Sequence, residues 1–464
     1  MPLKPLDVKE LPKALPFKKI IGPSFIILGL GLGSGEIILW PYLSSNFGLG
    51  IIWGAILGIT FQFFMNMEIE RYALAHGESV FVGFKRKLRL LPFWFILSTF
   101  IPWMWPGIIA ASAKFFGYVF GVENTSLLAI TFLIVIGLIL TFGPILYKTV
   151  ENLQKILISI GVPSIFILSI LLTRQNEWVD LVRGVAGVGE GYLLLPVGIP
   201  IASFLAALAY AGAGGNLNLA QAFYIKEKGY GMGKYSGRIT SILTGKVEDI
   251  SLTGARFETN ESNLKNFKKW WRNINLEHFI IFWLTGSVTI LLLSLLAYST
   301  TYGTAGNAQG VNFVFLESAE IGKRLFPFAG TFFLLVAGST LFGTQLTVFD
   351  ASSRIISENI VLAKTSFFRG THIPKIYYTV LWLQIAMGIL IFSLGFTEPL
   401  QLVIIAAVLN AFAMFVHSGL TLWLNLTSLD KHIRPNAFRV FAMLLAFMFY
   451  GGFSLYVIKD VFFK

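Results

Sequence analysis

A single carboxylate, Glu36, follows Gly29, Gly31, Gly33 and Gly35 in an otherwise apolar stretch whose core reads LGLGSGEIILWPYL over Leu30–Leu43. An acid in such surroundings is costly. It normally faces a bundle interior as a cation ligand, a proton carrier or the partner of a buried base. At 1.5 Å per residue it stands about 16 residues, roughly 24 Å, along its helix, near the middle of a membrane or slightly outward of it. An acid in the first turn of an outer half-helix, favoured by free amides, is a compatible reading. The glycines either break the helix or, paired as Gly29 with Gly33 and Gly31 with Gly35, let intact helices pack closely. A second glycine-rich interruption, AYAGAGGNLNLAQ at Ala209–Gln221, falls in the sixth apolar stretch as the first falls in the first, and favours broken helices lining a site. Unwound backbone at that depth is tolerated only against protein or a water-filled cavity.

Other polar residues within apolar stretches carry two readings each. Asn216 and Asn218 either cap the second half of helix six or offer amides to a ligand. Lys114 is about 7 residues, roughly 10 Å, from the outer end of its span, so its stem could snorkel. The alternative is an ion pair with Glu36. His417 is the most deeply placed histidine, a proton carrier or a polar contact joining helices. Asp350 and Arg354 have the spacing of an i,i+4 pair. Trp103 to Gly107 reads as a proline kink in helix three.

The elements that must hold these residues follow from composition. Apolar residues make up 55% of the 464, charged residues 13%, with 44 phenylalanines and a mean hydropathy of +0.72. Such a chain is an all-α integral membrane protein. Eleven spanning stretches begin near residues 20, 48, 92, 126, 153, 191, 277, 325, 375, 399 and 436. They divide into an N-terminal segment (1–19), a five-helix repeat (20–173), an extracellular connection (174–190), a second five-helix repeat (191–426) with a long cytoplasmic loop (225–273), and an eleventh helix (436–462). Each repeat opens with a discontinuous helix, the pattern of a 5+5 inverted repeat. The first 19 residues show no cleavage site and read as an uncleaved start.

The net charge of +12 does not indicate nucleic acid, because lysine and arginine follow loop alternation. With the N-terminus inside, the inner loops carry 29 basic residues and the outer loops 6, which places the C-terminus outside. The long loop holds ten of them plus Trp270-Trp271, and is expected on the anionic leaflet. No cysteine is present, which excludes disulfides and thiolate chemistry. No GxxxxGK[ST] loop occurs, so an ion gradient rather than ATP would drive transport, and nothing indicates an enzyme or a bound cofactor.

GPSFIILGLGLGSGE (Gly22–Glu36), QFFMNMEIERYALAHGES (Gln62–Ser79), YKTVENLQK (Tyr147–Lys155) and GAGGNLNLAQAFY (Gly212–Tyr224), in that order, resemble a divergent branch of the NRAMP divalent-metal transporters. The resemblance implies the LeuT-type fold of the APC superfamily and proton-linked metal symport. Typical members read Asp-Pro-Gly-Asn where this chain has Gly33, Ser34, Gly35 and Glu36, so the acid lies three residues later. The soft methionine of helix six corresponds to Ala213, and its proline and histidine to Gly214 and Gly215. A helix-ten glutamine corresponds to Asn410, and Lys114 falls near an acid of the family's proton route. The substrate-binding set is then Gly33, Ser34, Gly35, Glu36, Tyr210, Ala213, Gly214, Asn216 and Asn410, with carbonyls freed at Gly33 and Tyr210. Glu36, Asn216 and Asn410 would hold the metal, and an all-oxygen set suits a hard ion of the manganese or magnesium class. Glu36, Lys114 and His417 are the candidates for proton coupling. The alternative is an amino acid or other small organic or anionic solute, bound by the exposed amides of half-helices. The expected partners are the lipid bilayer, a small substrate and a coupling ion.

Overall fold

The computed structural model describes residues 3–143, 146–236 and 251–462. After strand β1 (Asp7–Val8), the chain runs through α1 (Pro23–Gly31), a π-helical segment (Ser34–Leu39), α2 (Trp40–Phe47), α3 (Trp53–His76), α4 (Val80–Lys87), α5 (Leu91–Trp103) and α6 (Gly107–Phe120). It continues with α7 (Thr125–Phe142), α8 (Leu146–Leu172), α9 (Gln175–Val185), β2 (Val188–Gly189), β3 (Tyr192–Leu193), α10 (Ile201–Ala209), a 3-10 turn (Gly215–Ala220) and α11 (Gln221–Glu227). The last part holds β4 (Ala255–Arg256), α12 (Glu261–His278), a π segment (Phe279–Leu284), α13 (Thr285–Thr301), α14 (Asn312–Arg324), α15 (Pro327–Ala363), α16 (Ile373–Ser393), α17 (Pro399–Ser428) and α18 (Ala437–Phe462).

Among the described residues, ten helical segments are long and apolar enough to cross a membrane, and the chain is an integral multi-pass membrane protein. The stretch expected to begin near 191 differs. Residues 188–193 form the β2–β3 hairpin, and helix begins only at Ile201, in pieces too short to span alone. The stretch expected near 277 starts at Glu261, because α12 runs through π-helical geometry into α13 without a stop. Burial is distributed as a lipid solvent dictates: Leu97, Ile160, Ile167 and Leu171 point outward, while Gln62, Asn66, Glu68 and Glu70 are buried.

Of the Trp270-Trp271 pair expected on the leaflet, Trp270 packs inward. Trp270 is buried and donates through Nε1 to the Pro12 carbonyl at 2.8 Å. The guanidinium of Arg71 sits 3.9 Å from the Trp271 ring, with Arg439 at 4.9 Å. β4 pairs in parallel with β1, which together with the Pro12 contact lays the N-terminal segment against this loop. Arg238 and Lys246 of the same loop lie outside the described residues, as does Lys464.

Candidate functional site

Two interruptions meet at the centre of the bundle. α1 stops at Gly31, the Gly33 N–H turns back to the Gly31 carbonyl at 2.6 Å, and Gly33 takes φ −112° and ψ −114°, outside the helical region. Helical bonding resumes when Ile37 N–H donates to the Gly33 carbonyl at 2.9 Å, so that carbonyl is engaged, not free as the sequence suggested. α10 stops at Ala209, and Gly214 and Gly215 take φ +74° and +56°, a region that strains any side chain. Gly35 supplies the contact between the two breaks, since a Cβ there would collide with the Tyr210 carbonyl oxygen. A Cβ on Gly215 would likewise collide with Asn410 Oδ1.

Side chains from two other helices fasten the second break. Gln62 of α3 donates to the Ala209 carbonyl at 3.1 Å and accepts from Gly214 N–H at 3.0 Å, so one amide holds both edges. Asn410 of α17 donates to the Tyr210 hydroxyl at 2.9 Å, and the Tyr210 ring stacks on Trp103 at 5.5 Å between centroids. His417 of α17 places Nε2 3.0 Å from the Gly215 carbonyl, the reading in which it joins helices. The first break has one such side-chain contact among the described residues, Thr344 of α15 donating to the Gly29 carbonyl at 2.9 Å.

Glu36 is 1% exposed, and its Oε2 has no hydrogen-bond partner among the described residues. It faces α13: a Cβ on Gly286 would lie 3.6 Å from Glu36 Oε1, among Ile59 and Leu28 methyls. The alternative pairing with Lys114 does not form. Lys114 gives its ammonium to Glu398 at 2.9 Å, both side chains about one-third exposed, because Glu398 sits just ahead of α17 where Lys114 of α6 can reach it. Asn216 donates to Ser98 at 2.8 Å and Thr99 at 3.0 Å on α5, and Asn218 to the Gly215 carbonyl at 3.4 Å; neither caps α11. Ser34 and Ala213 are buried within the two breaks.

The structure therefore joins Gly35, Tyr210, Gly214 and Asn410, leaves Glu36 on the α13 side of the break, turns Asn216 toward α5 and removes Lys114 to the rim. Oδ1 of Asn216, Asn218 and Asn410 are buried without partners among the described residues, so neutral oxygens remain available beside the break. No group of three or more His, Asp or Glu among the described residues is arranged to hold a metal ion. A cation beside the second break would meet these neutral oxygens, while the Glu36 carboxylate lies on the α13 side. Sequence reasoning missed Gln62, Trp103 as a ring platform, Thr344 and Gly286. A lone glutamine within the apolar run of α3 was the one available signal.

No family model matches the chain, and no curated protein does. Solved structures do. A manganese transporter of Eremococcus coleocola, in a mutant form, superposes with a TM-score of 0.69 over 98% of this chain and 90% of its own at 12% identity. The same transporter with an aromatic bis-isothiourea compound gives 0.64 at 13% identity over 98% and 91%. MhsT bound to L-phenylalanine gives 0.50 at 14% identity over 95% and 98%. These neighbours are membrane transporters, not enzymes. The fold is the all-helical LeuT type, and the resemblance of the motifs to NRAMP proteins is matched by a resemblance of architecture.

Proposed function

We propose that the protein is a secondary active transporter that moves a divalent cation of the hard manganese or magnesium class, coupled to protons, by alternating access. The observation that carries this reading is Glu36: a buried carboxylate beside two touching helix breaks, with no cationic side chain paired to it among the described residues. A bare charge there is too costly to persist, so a cation or a proton must share the position. The orphaned amide oxygens of Asn410 and Asn216 supply further hard donors, and pairing of Lys114 with Glu398 removes a fixed positive charge that would repel a dication. The fold neighbour that carries manganese supports the same class. The distribution of basic residues supports a cytoplasmic N-terminus.

A second reading, an amino acid or other small organic solute, is favoured by the Trp103–Tyr210 stack beside the breaks and by the fold shared with MhsT. Manganese entry into proteoliposomes loaded with a quenchable dye separates the two. Entry with the wild type and none with Glu36→Gln supports the metal reading. Absence of entry in both, with folded protein and a maintained proton gradient, removes it and directs attention to organic solutes.

A further inference from the structure

We propose that Ser24, Glu70, His278 and Glu277 form a proton-carrying relay at the base of α1, separate from Glu36, whose charge state decides whether α1 stays docked; this rests on the transporter reading above. Glu277, near the end of α12, grips the start of α1 through three donors. Its Oε1 accepts from Gly22 N–H at 3.2 Å and Ser24 N–H at 3.3 Å, and its Oε2 accepts from the Ser24 hydroxyl. The same hydroxyl lies 2.8 Å from His278 Nδ1, which is 3.4 Å from Glu70 Oε1 on α3. Glu70 Oε1 also accepts from Gln221 of α11 at 2.5 Å. Four helices thus meet on one continuous chain of titratable and hydroxyl groups, all of them buried.

No fixed cation among the described residues is committed to this chain. Lys228 faces Glu277 but gives its ammonium to Glu151 at 2.8 and 3.1 Å, and the hydroxyl-bearing rings Tyr147 and Tyr230 complete the surroundings of that carboxylate. Arg439 of α18 faces His278 and Glu70 but donates to Glu68 and Asn275. Glu70 Oε2, Gln221 Oε1 and His278 Nε2 are buried with no partner among the described residues, the last on a ring stacked between Phe282 at 4.7 Å and Phe63 at 5.5 Å. Two acids with no committed counter-ion can hold protons, and the imidazole that touches Ser24 and lies near Glu70 can pass one between them.

The transfer balances without any other reactant. An imidazolium at His278 gives its Nδ1 proton to the Ser24 oxygen as the Ser24 proton passes to Glu277 Oε2. One N–H bond breaks, one O–H bond forms on the carboxyl, and a neutral imidazole protonated at Nε2 remains. The neutral carboxyl accepts more weakly from the three α1 donors, so protonation loosens α1.

The chain has no cysteine, so Ile21→Cys gives a unique nitroxide site at the start of α1 in the full-length protein. Electron paramagnetic resonance of the reconstituted protein reads the mobile against the docked population from about pH 8 to about pH 4, a window that spans the ordinary imidazole and carboxylate values. The mobile-to-docked ratio should rise roughly tenfold on acidification. Glu277→Gln should be mobile at both limits, and His278→Gln should flatten the profile while leaving α1 docked. If Glu277→Gln does not fold, Ser24→Ala carries the test, because it cuts the bridge and should make the profile indifferent to His278→Gln. A parent-like pH profile in Glu277→Gln, or in both Ser24→Ala and His278→Gln, overturns the relay. A normal relay response in protein that moves no manganese sinks the metal reading alone.

Discussion

The two helix breaks share a glycine-rich sequence and differ in how they are held. The break between Ala209 and Gly215 is bound by Gln62, Asn410 and His417, from α3 and α17. The break between Gly31 and Ser34 has one side-chain bond among the described residues, from Thr344, and otherwise leans on the Tyr210 carbonyl through the missing Cβ of Gly35. By side-chain bonding the second break is the fixed wall and the first the looser piece. Under the alternating access proposed above, the less tethered break is the piece expected to move. Glu36 sits on the looser partner, so any charge it carries or loses acts on the part most able to respond.

The largest expected effect breaks the contact itself. Gly35→Ala drives a methyl into the Tyr210 carbonyl oxygen, and a backbone atom cannot rotate away. Transport should be lost and the thermal midpoint lowered, whereas Gly452→Ala, where nothing lies within 4 Å, should leave both unchanged. An unaltered midpoint in Gly35→Ala would show that the two breaks do not touch in the membrane. Glu36→Gln comes next: it keeps the shape and removes the group that takes up a cation or a proton, so flux should vanish while the midpoint holds or rises.

Gln62→Ala tests the fixed wall. It leaves the Ala209 carbonyl and the Gly214 N–H without their shared partner, a loss of about 1–3 kcal/mol for each buried group left unpaired. Stability should fall more than for Thr344→Val, which frees one carbonyl on the looser side. Equal losses in the two variants, measured by thermal unfolding in the same detergent, would erase the asymmetry.

How these anchors could be foreseen depends on sequence distance. The breaks and the acid were legible because glycine spacing and a lone carboxylate are local features of an apolar run. The partners were not, since Gln62 reaches Gly214 across 152 residues and Lys114 reaches Glu398 across 284. Helix phase and crossing geometry decide such contacts, and neither is written in periodicity. The same reason hid the packing of Trp270, whose partner Pro12 lies 258 residues away. Asn216 shows the limit most clearly, since an amide one residue past a break looks equally suited to cap, ligand or lateral contact, and only the position of α5 selects Ser98 and Thr99.

The smallest effect belongs to the rim. Lys114 and Glu398 form an ion pair with both side chains partly in contact with water, a setting in which such pairs contribute about 0–1 kcal/mol. Lys114→Met should change stability little, because the partner carboxylate keeps access to water. Its effect on flux separates the two substrate classes more sharply than its effect on the fold. If the cargo is a dication, removing a cation from the entry rim leaves Glu398 uncompensated, so apparent affinity should improve modestly and the improvement should shrink at high salt, where the Debye length falls to about 3 Å at 1 M. If the cargo is an anionic solute, the same substitution should weaken uptake, again most at low salt. Initial rates of Lys114→Met and Glu398→Gln at low and high ionic strength, with each candidate solute, decide the sign, and a rim that has no influence would give two salt-independent variants indistinguishable from wild type.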